Sequence, residues 1–129
     1  MEKEIAKGKK RILIVDDEPA VRRTVRSVLE SAGYECTESE DGAAALAWLE
    51  ENKADAIIVD YHMPGLGGLK ILEIVRGKLD GKSPPVIMLT ASLEEKDKLK
   101  ARELGAYAIV DKPCNFRELV ITVGEAIEL

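Results

Sequence analysis

A handful of residues in this chain stand where chemistry could be done. Asp16, Asp17 and Glu18 follow directly on the apolar run Ile12–Val15. Asp60 follows Ala56–Val59, Thr90 follows Val86–Leu89, and Lys112 stands two residues after Ala108–Val110. If these run ends meet on one rim, the carboxylates repel one another. At about 4 Å and an effective dielectric of about 20, each pair costs about 4 kcal/mol. One lysine cannot neutralise three or four acids. Either some carboxyls keep a proton, with raised pKa values, or a divalent cation sits among them. All-oxygen ligands select Mg2+, Mn2+ or Ca2+ over zinc, and few carboxylates with open positions suit Mg2+. Magnesium sites of this kind commonly handle phosphoryl groups. The Lys112 ammonium and the Thr90 hydroxyl would supply the charge and hydrogen bond that phosphoryl oxygens need. Taken singly, each residue has a plainer reading: Asp17 or Glu18 as a helix cap, Lys112 as an exposed loop residue before Pro113. Their joint position is what argues for a site.

The elements that must position them are legible as patterns. The four apolar runs are continuous rather than alternating and rich in Ile and Val, the habit of parallel strands covered on both faces. A weaker strand is expected over 34–38. Val21, Val25, Val28, Leu29 and Ala32 form one helical stripe, with Pro19 in the first turn and Gly33 just past the end. Ala45, Leu46 and Leu49 mark a second helix, and Leu69, Leu72 and Val75 a third. Ser92 with Glu95 reads as a capping box opening a fourth helix that closes at Gly105; Asn115 with Glu118 opens a fifth, carrying Leu119, Val123 and Ile127. Five strand–helix repeats predict an α/β, doubly wound domain. In such sheets ligands bind beyond the carboxyl ends of the strands, where the singled-out residues fall.

Composition bounds the rest. With 129 residues, 46% of them apolar and 33% charged, the chain suits one globular domain. The longest apolar stretch, 43–49, falls far short of the roughly 20 residues of a membrane span. The charged start MEKEIAKGKKR has no apolar centre and is no signal peptide. Cys36 and Cys114 alone imply no disulfide framework. A soluble, cytoplasmic protein is expected. Residues 1–11 carry a net +3 and the remainder −8. An acidic body repels nucleic-acid phosphates, so no nucleic acid is expected as partner of this chain alone. The basic tail reads as a solubilising segment, with contact to an acidic partner as the other reading. The expected division is a charged tail over 1–10 and one domain over 11–129.

Four segments, ILIVDDEP (12–19), IIVDYHMPGLGGLKIL (57–72), VIMLTA (86–91) and GAYAIVDKP (105–113), resemble the receiver (response-regulator) family of two-component signalling. The resemblance runs from about residue 10 to 129. It implies a flavodoxin-like sheet of five parallel strands in the order 2-1-3-4-5 with five helices. It implies Asp60 as the phosphoacceptor, a carboxylate nucleophile attacking a phosphohistidine. Asp17 and Asp60 would ligate Mg2+, with Asp16 helping through water and the backbone carbonyl of His62 as a further ligand. Thr90 and Lys112 would hold the phosphoryl oxygens, and a cis bond before Pro113 would aim Lys112 inward. The implied partners are a sensor histidine kinase or histidine phosphotransfer protein and a downstream protein or effector domain. No effector domain is expected beyond the fifth helix, with a stand-alone receiver and a piece of a larger regulator both open; no membrane association is expected, and dimerisation is open. Such a domain assists its own phosphorylation and slow hydrolysis but turns over no separate substrate.

The departures concern the switch more than the chemistry. The family couples movement of the Thr90 position to an aromatic three residues before the lysine, and here that position is Ile109. Tyr107, two residues earlier, is the candidate substitute. Gly67 stands where the family often has Asp or Asn, and Cys114 where Phe is common; Cys114 reads as packing rather than redox chemistry. His62 is either an exposed loop residue or a group that steers the water hydrolysing the phosphoryl group. Trp48 reads as semi-buried packing. A haloacid-dehalogenase-type phosphatase would need an Asp two residues after its nucleophile, where this chain has Glu18 or His62. A degenerate receiver acting as a constitutive binding module would not need the complete acidic set. GLGG at 65–68 lacks dinucleotide-fingerprint spacing and reads as the turn into the third helix.

Overall fold

The computed structural model describes residues 8–78, 83–91 and 94–128. Among them are five parallel strands: β1 (Arg11–Val15), β2 (Glu35–Ser39), β3 (Ala56–Asp60), β4 (Val86–Thr90) and β5 (Ala108–Asp111). They lie in the order β2-β1-β3-β4-β5, as the resemblance implied. Five helices connect or follow them: α1 (Pro19–Ser31), α2 (Gly42–Glu51), α3 (Gly68–Lys78), α4 (Glu95–Glu103) and α5 (Phe116–Glu128).

The unbroken Ile/Val runs are explained by two cores, one on each face of the sheet. Ile12, Ile14, Ile58, Ile87 and Leu89 pack with Val25 and Leu29 of α1 and with Leu119, Val123 and Ala126 of α5. Their neighbours Leu13, Val15, Ile57, Val59 and Met88 point the other way, to Ala45 of α2, to Ile71, Leu72 and Val75 of α3, and to Ala101 of α4. Alternate side chains of a strand face opposite sides, so a run buried on both must be apolar throughout. Register then brings the run ends together: Val15 pairs with Val59, Asp60 with Leu89, and Thr90 with Asp111.

Several element ends differ from the sequence reading. The second strand lies one residue later than expected. Tyr34 precedes it and donates its N–H to the Leu29 carbonyl, closing α1 together with Gly33 at φ 103°. Ala32 is the C-cap of α1 and exposed, so it drops out of the stripe. Glu18 holds the N-cap position of α1, but its side chain makes no capping hydrogen bond. Asp41, unmarked in the sequence reading, caps α2 by accepting from the Ala44 N–H at 2.8 Å. Asn115 accepts from the Glu118 N–H at 3.1 Å, as the capping pattern required. Ser92 lies outside the described residues, and the residue at the N-cap of α4 is Glu94. Trp48 is half-buried, with the Arg11 guanidinium 5.9 Å from its ring centre. Both cysteines are free thiols. Among the described residues no helix is long and apolar enough to cross a membrane.

Candidate functional site

The rim expected from the sequence is assembled at the carboxyl ends of β1, β3, β4 and β5. Asp16 and Asp60 are 1% and 4% exposed, and Thr90 is fully buried as the last residue of β4. Asp17 and Glu18 are exposed on the turn into α1. One carboxylate oxygen from each of Asp16, Asp17, Glu18 and Asp60 lies within 4.8 Å of the other three. Into this cluster reaches Lys112, whose Nζ is 3.0 Å from Asp16 Oδ2, 3.5 Å from Asp60 Oδ2 and 3.5 Å from Glu18 Oε1. The Lys112–Pro113 bond is cis. The Lys112 N–H donates to the Thr90 carbonyl at 2.7 Å, so the lysine and the threonine share one strand junction.

Local hydrogen bonds fix the two buried acids. Asp16 Oδ1 accepts from the Glu18 N–H at 2.9 Å, and Asp60 Oδ1 accepts from the His62 N–H at 3.2 Å. These short side-chain turns hold each carboxylate over its own strand end. The His62 ring is exposed and meets Tyr61 edge-on, with ring centres 4.8 Å apart.

The electrostatics of the cluster are unbalanced. Burial, reinforced by the charge of Asp16, pushes the Asp60 carboxyl above the usual range against the opposing pull of Lys112 and the His62 N–H. Burial works against the charged form of Lys112. Its hydrogen bond to Asp16 and the charges of Asp16, Asp60 and Glu18 outweigh that and hold its pKa above the ordinary lysine value. Four acids around one ammonium leave excess negative charge on oxygen donors, two of them on exposed groups that water reaches. That donor set fits a hard divalent cation with open coordination positions.

Two supporting roles escaped the sequence reading. Arg22 donates through Nη1 to the Asp16 carbonyl at 2.6 Å while its Nε meets Glu38 at 3.1 Å, bracing the acidic turn from α1. Nothing local in the sequence marks it, because both partners are distant or on the backbone. Gly68 opens α3 directly beneath the acidic rim. A Cβ there would sit 2.5 Å from the Asp60 carbonyl oxygen. A glycine at the first position of a helix, where others have better propensity, was the available signal. Of the expected switch positions, Ile109 is partly buried and packs against the core on the α2–α4 face of the sheet, whereas Tyr107 precedes β5 and is 37% exposed. Cys114 is half-buried, with its thiol pushed up by burial, which disfavours the reactive thiolate.

The model of the response regulator receiver domain matches residues 12–124. This chain belongs to that family. The receiver is 40% identical over 111 residues to the phosphate regulon transcriptional regulatory protein PhoB of Pseudomonas aeruginosa, covering 86% of this chain and 48% of that protein. It is 39% identical over 113 residues to the transcriptional regulatory protein ResD of Bacillus subtilis, covering 88% and 46%. The chain thus spans about half the length of the curated relatives it matches. Among solved structures it superposes on the chemotaxis protein CheY4 of Vibrio cholerae with a TM-score of 0.86 at 32% identity, covering 92% of this chain and 99% of that one. This is therefore a receiver domain of two-component response regulators, a signalling domain.

Proposed function

We propose that this receiver takes a phosphoryl group onto Asp60 from a histidine kinase or a histidine phosphotransfer protein. A side-chain oxygen of Asp60 forms the bond to phosphorus as the bond to the donor imidazole nitrogen breaks, and the imidazole leaves with its electron pair. The observation that carries this reading is the pairing of Asp60 with Lys112. A buried carboxylate, its pKa raised, lies 3.5 Å from an ammonium that is itself shared among acids. Phosphoryl transfer asks for in-line positioning and for neutralisation of the equatorial oxygens, and little else from the protein. The His62 N–H holds one Asp60 oxygen and leaves the other facing the rim. Lys112 exchanges its contact with Asp60 for a phosphoryl oxygen, and the Thr90 hydroxyl donates to a second.

Asp17 and Asp60, with Asp16 through water and the His62 backbone carbonyl, are the residues that would hold Mg2+. When bound, that ion neutralises charge developing on the transferring group. Movement of Thr90 toward the phosphoryl group carries the end of β4 with it, and Ile109, packed against the core on the α2–α4 face of the sheet, is the side chain that must accommodate the shift. The altered face is read by a downstream protein or effector segment. Within this reading residues 11–129 are the working domain, 1–10 a charged tail, and the protein serves its kinase in the cytoplasm.

The test is intact mass after incubation with acetyl phosphate, with and without Mg2+, on the wild type and on Asp60→Asn. One phosphoryl adduct requiring both Mg2+ and Asp60 is the expected result. No adduct on a folded, Mg2+-binding wild type would overturn the proposal.

A further inference from the structure

Glu18 is the one acid of the rim to which neither the fold nor the chemistry above gives a task. It occupies the N-cap position of α1, where a side-chain oxygen ordinarily accepts a first-turn N–H, yet it makes no such bond. Its backbone N–H is engaged by Asp16 Oδ1, which fixes the start of the residue, and its carboxylate is directed across the rim to Lys112 Nζ at 3.5 Å. Its oxygen also lies within 4.8 Å of those of Asp16, Asp17 and Asp60. The Glu18 side chain is 63% exposed, whereas that of Asp16 is 1% and that of Asp60 is 6% exposed. Glu18 is thus a movable acid beside two fixed ones, competing for the same ammonium.

We infer that Glu18 is a positioning residue that sets the balance between cation and phosphoryl group, resting on the reading of Asp60 and Lys112 given above. A negative charge at this place acts in opposite senses on the two ligands of the rim. It favours a divalent cation, which gains a nearby carboxylate directly or through water. It disfavours a phosphoryl dianion, because it repels the dianion and keeps Lys112 partly engaged elsewhere. Lys112 has three N–H donors and is approached by three carboxylates, so a phosphoryl oxygen gains the ammonium by displacing one of them. The exposed Glu18 is the arm that can swing into water at least cost. Its presence therefore strengthens Mg2+ binding and slows phosphorylation by an anionic donor.

The opposite signs make the idea testable. Glu18→Gln keeps shape and removes charge; Glu18→Asp keeps charge; Glu51→Gln, an exposed acid at the end of α2, controls for the change in net charge. Mg2+ affinity is measured by calorimetry on each purified chain, and the rate of adduct formation from acetyl phosphate by intact mass at saturating Mg2+. For Glu18→Gln we expect Mg2+ binding weakened and phosphorylation accelerated, each by about three- to tenfold as screened Coulomb interactions at this range predict. Glu18→Asp should lie near the wild type, and Glu51→Gln should match it. Unchanged values in Glu18→Gln, or a loss in both, would overturn the inference while the wild-type adduct stood. Absence of that adduct would instead remove the underlying reading of Asp60.

Discussion

The two flanks of the sheet hold the same site in different ways. On one flank, α1 buries Val25 and Leu29 against β1 and α5. Two of its arginines, Arg22 and Arg26, reach Glu38 on β2 at 3.1 and 3.2 Å. On the other, α4 buries Ala101 alone and leaves Leu99 56% exposed. Its tie to the end of β5 is Lys98 to Asp111 at 3.8 Å, with Asp111 well exposed. The acids of the first turn, Asp16 to Glu18, belong to the anchored flank. Thr90 ends β4, the strand that leads into the thinly anchored α4. Local stability follows buried apolar contact, so α4 is expected to open more readily than α1.

That contrast can be broken by substitution. Leu29→Ala, on the anchored flank, is expected to cost about 2–5 kcal/mol in urea unfolding, because a fully buried leucine leaves a cavity between α1 and the sheet. Gly68→Ala should cost about 1–3 kcal/mol, since the added methyl forces the start of α3 away from the Asp60 carbonyl. It should also slow phosphorylation by acetyl phosphate, because the displaced carbonyl belongs to Asp60 itself.

The pH dependence of the metal-free protein sharpens the picture of the rim. The Asp60 carboxyl is raised, so the folded chain holds its proton more tightly than the unfolded chain does. The stability this group contributes is complete below the ordinary carboxylate range and is lost as pH rises through the raised value. Asp60→Asn should therefore unfold later than the wild type at neutral pH without metal, with the gain vanishing as pH falls below the ordinary carboxylate range. Mg2+ should narrow the same gap by stabilising the wild type, an effect thermal melts at several Mg2+ concentrations would read. The smallest effect belongs to the thin flank: Leu99→Ala should stay within about 0.5 kcal/mol of the wild type. A cost comparable to that of Leu29→Ala would remove the distinction between the flanks.

Much of this molecule was legible before its structure. The Ile/Val runs gave four of the five strands within a residue or two of their observed ends, because a strand buried on both faces has no place for a polar side chain. The residues that end those runs proved to be the acidic rim, since parallel strands in register bring all their carboxyl ends to one edge. The weaker second strand was displaced by one residue because Glu35–Ser39 is mostly polar, at a sheet edge where periodicity says little. Glu18 was readable as a helix cap only while its long-range partner was unknown.

Residue types and their order along the chain determined the fold class, the acidic cluster and its need for a counter-charge, because these depend on local patterning and on charge that no folding can remove. Tertiary structure alone decided which acid meets Lys112 across 96 positions of sequence, that Arg22 braces the Asp16 carbonyl, and that Gly68 must lack a side chain. Those are contacts between distant segments, and their distances follow from how helices seat on the sheet rather than from any local pattern.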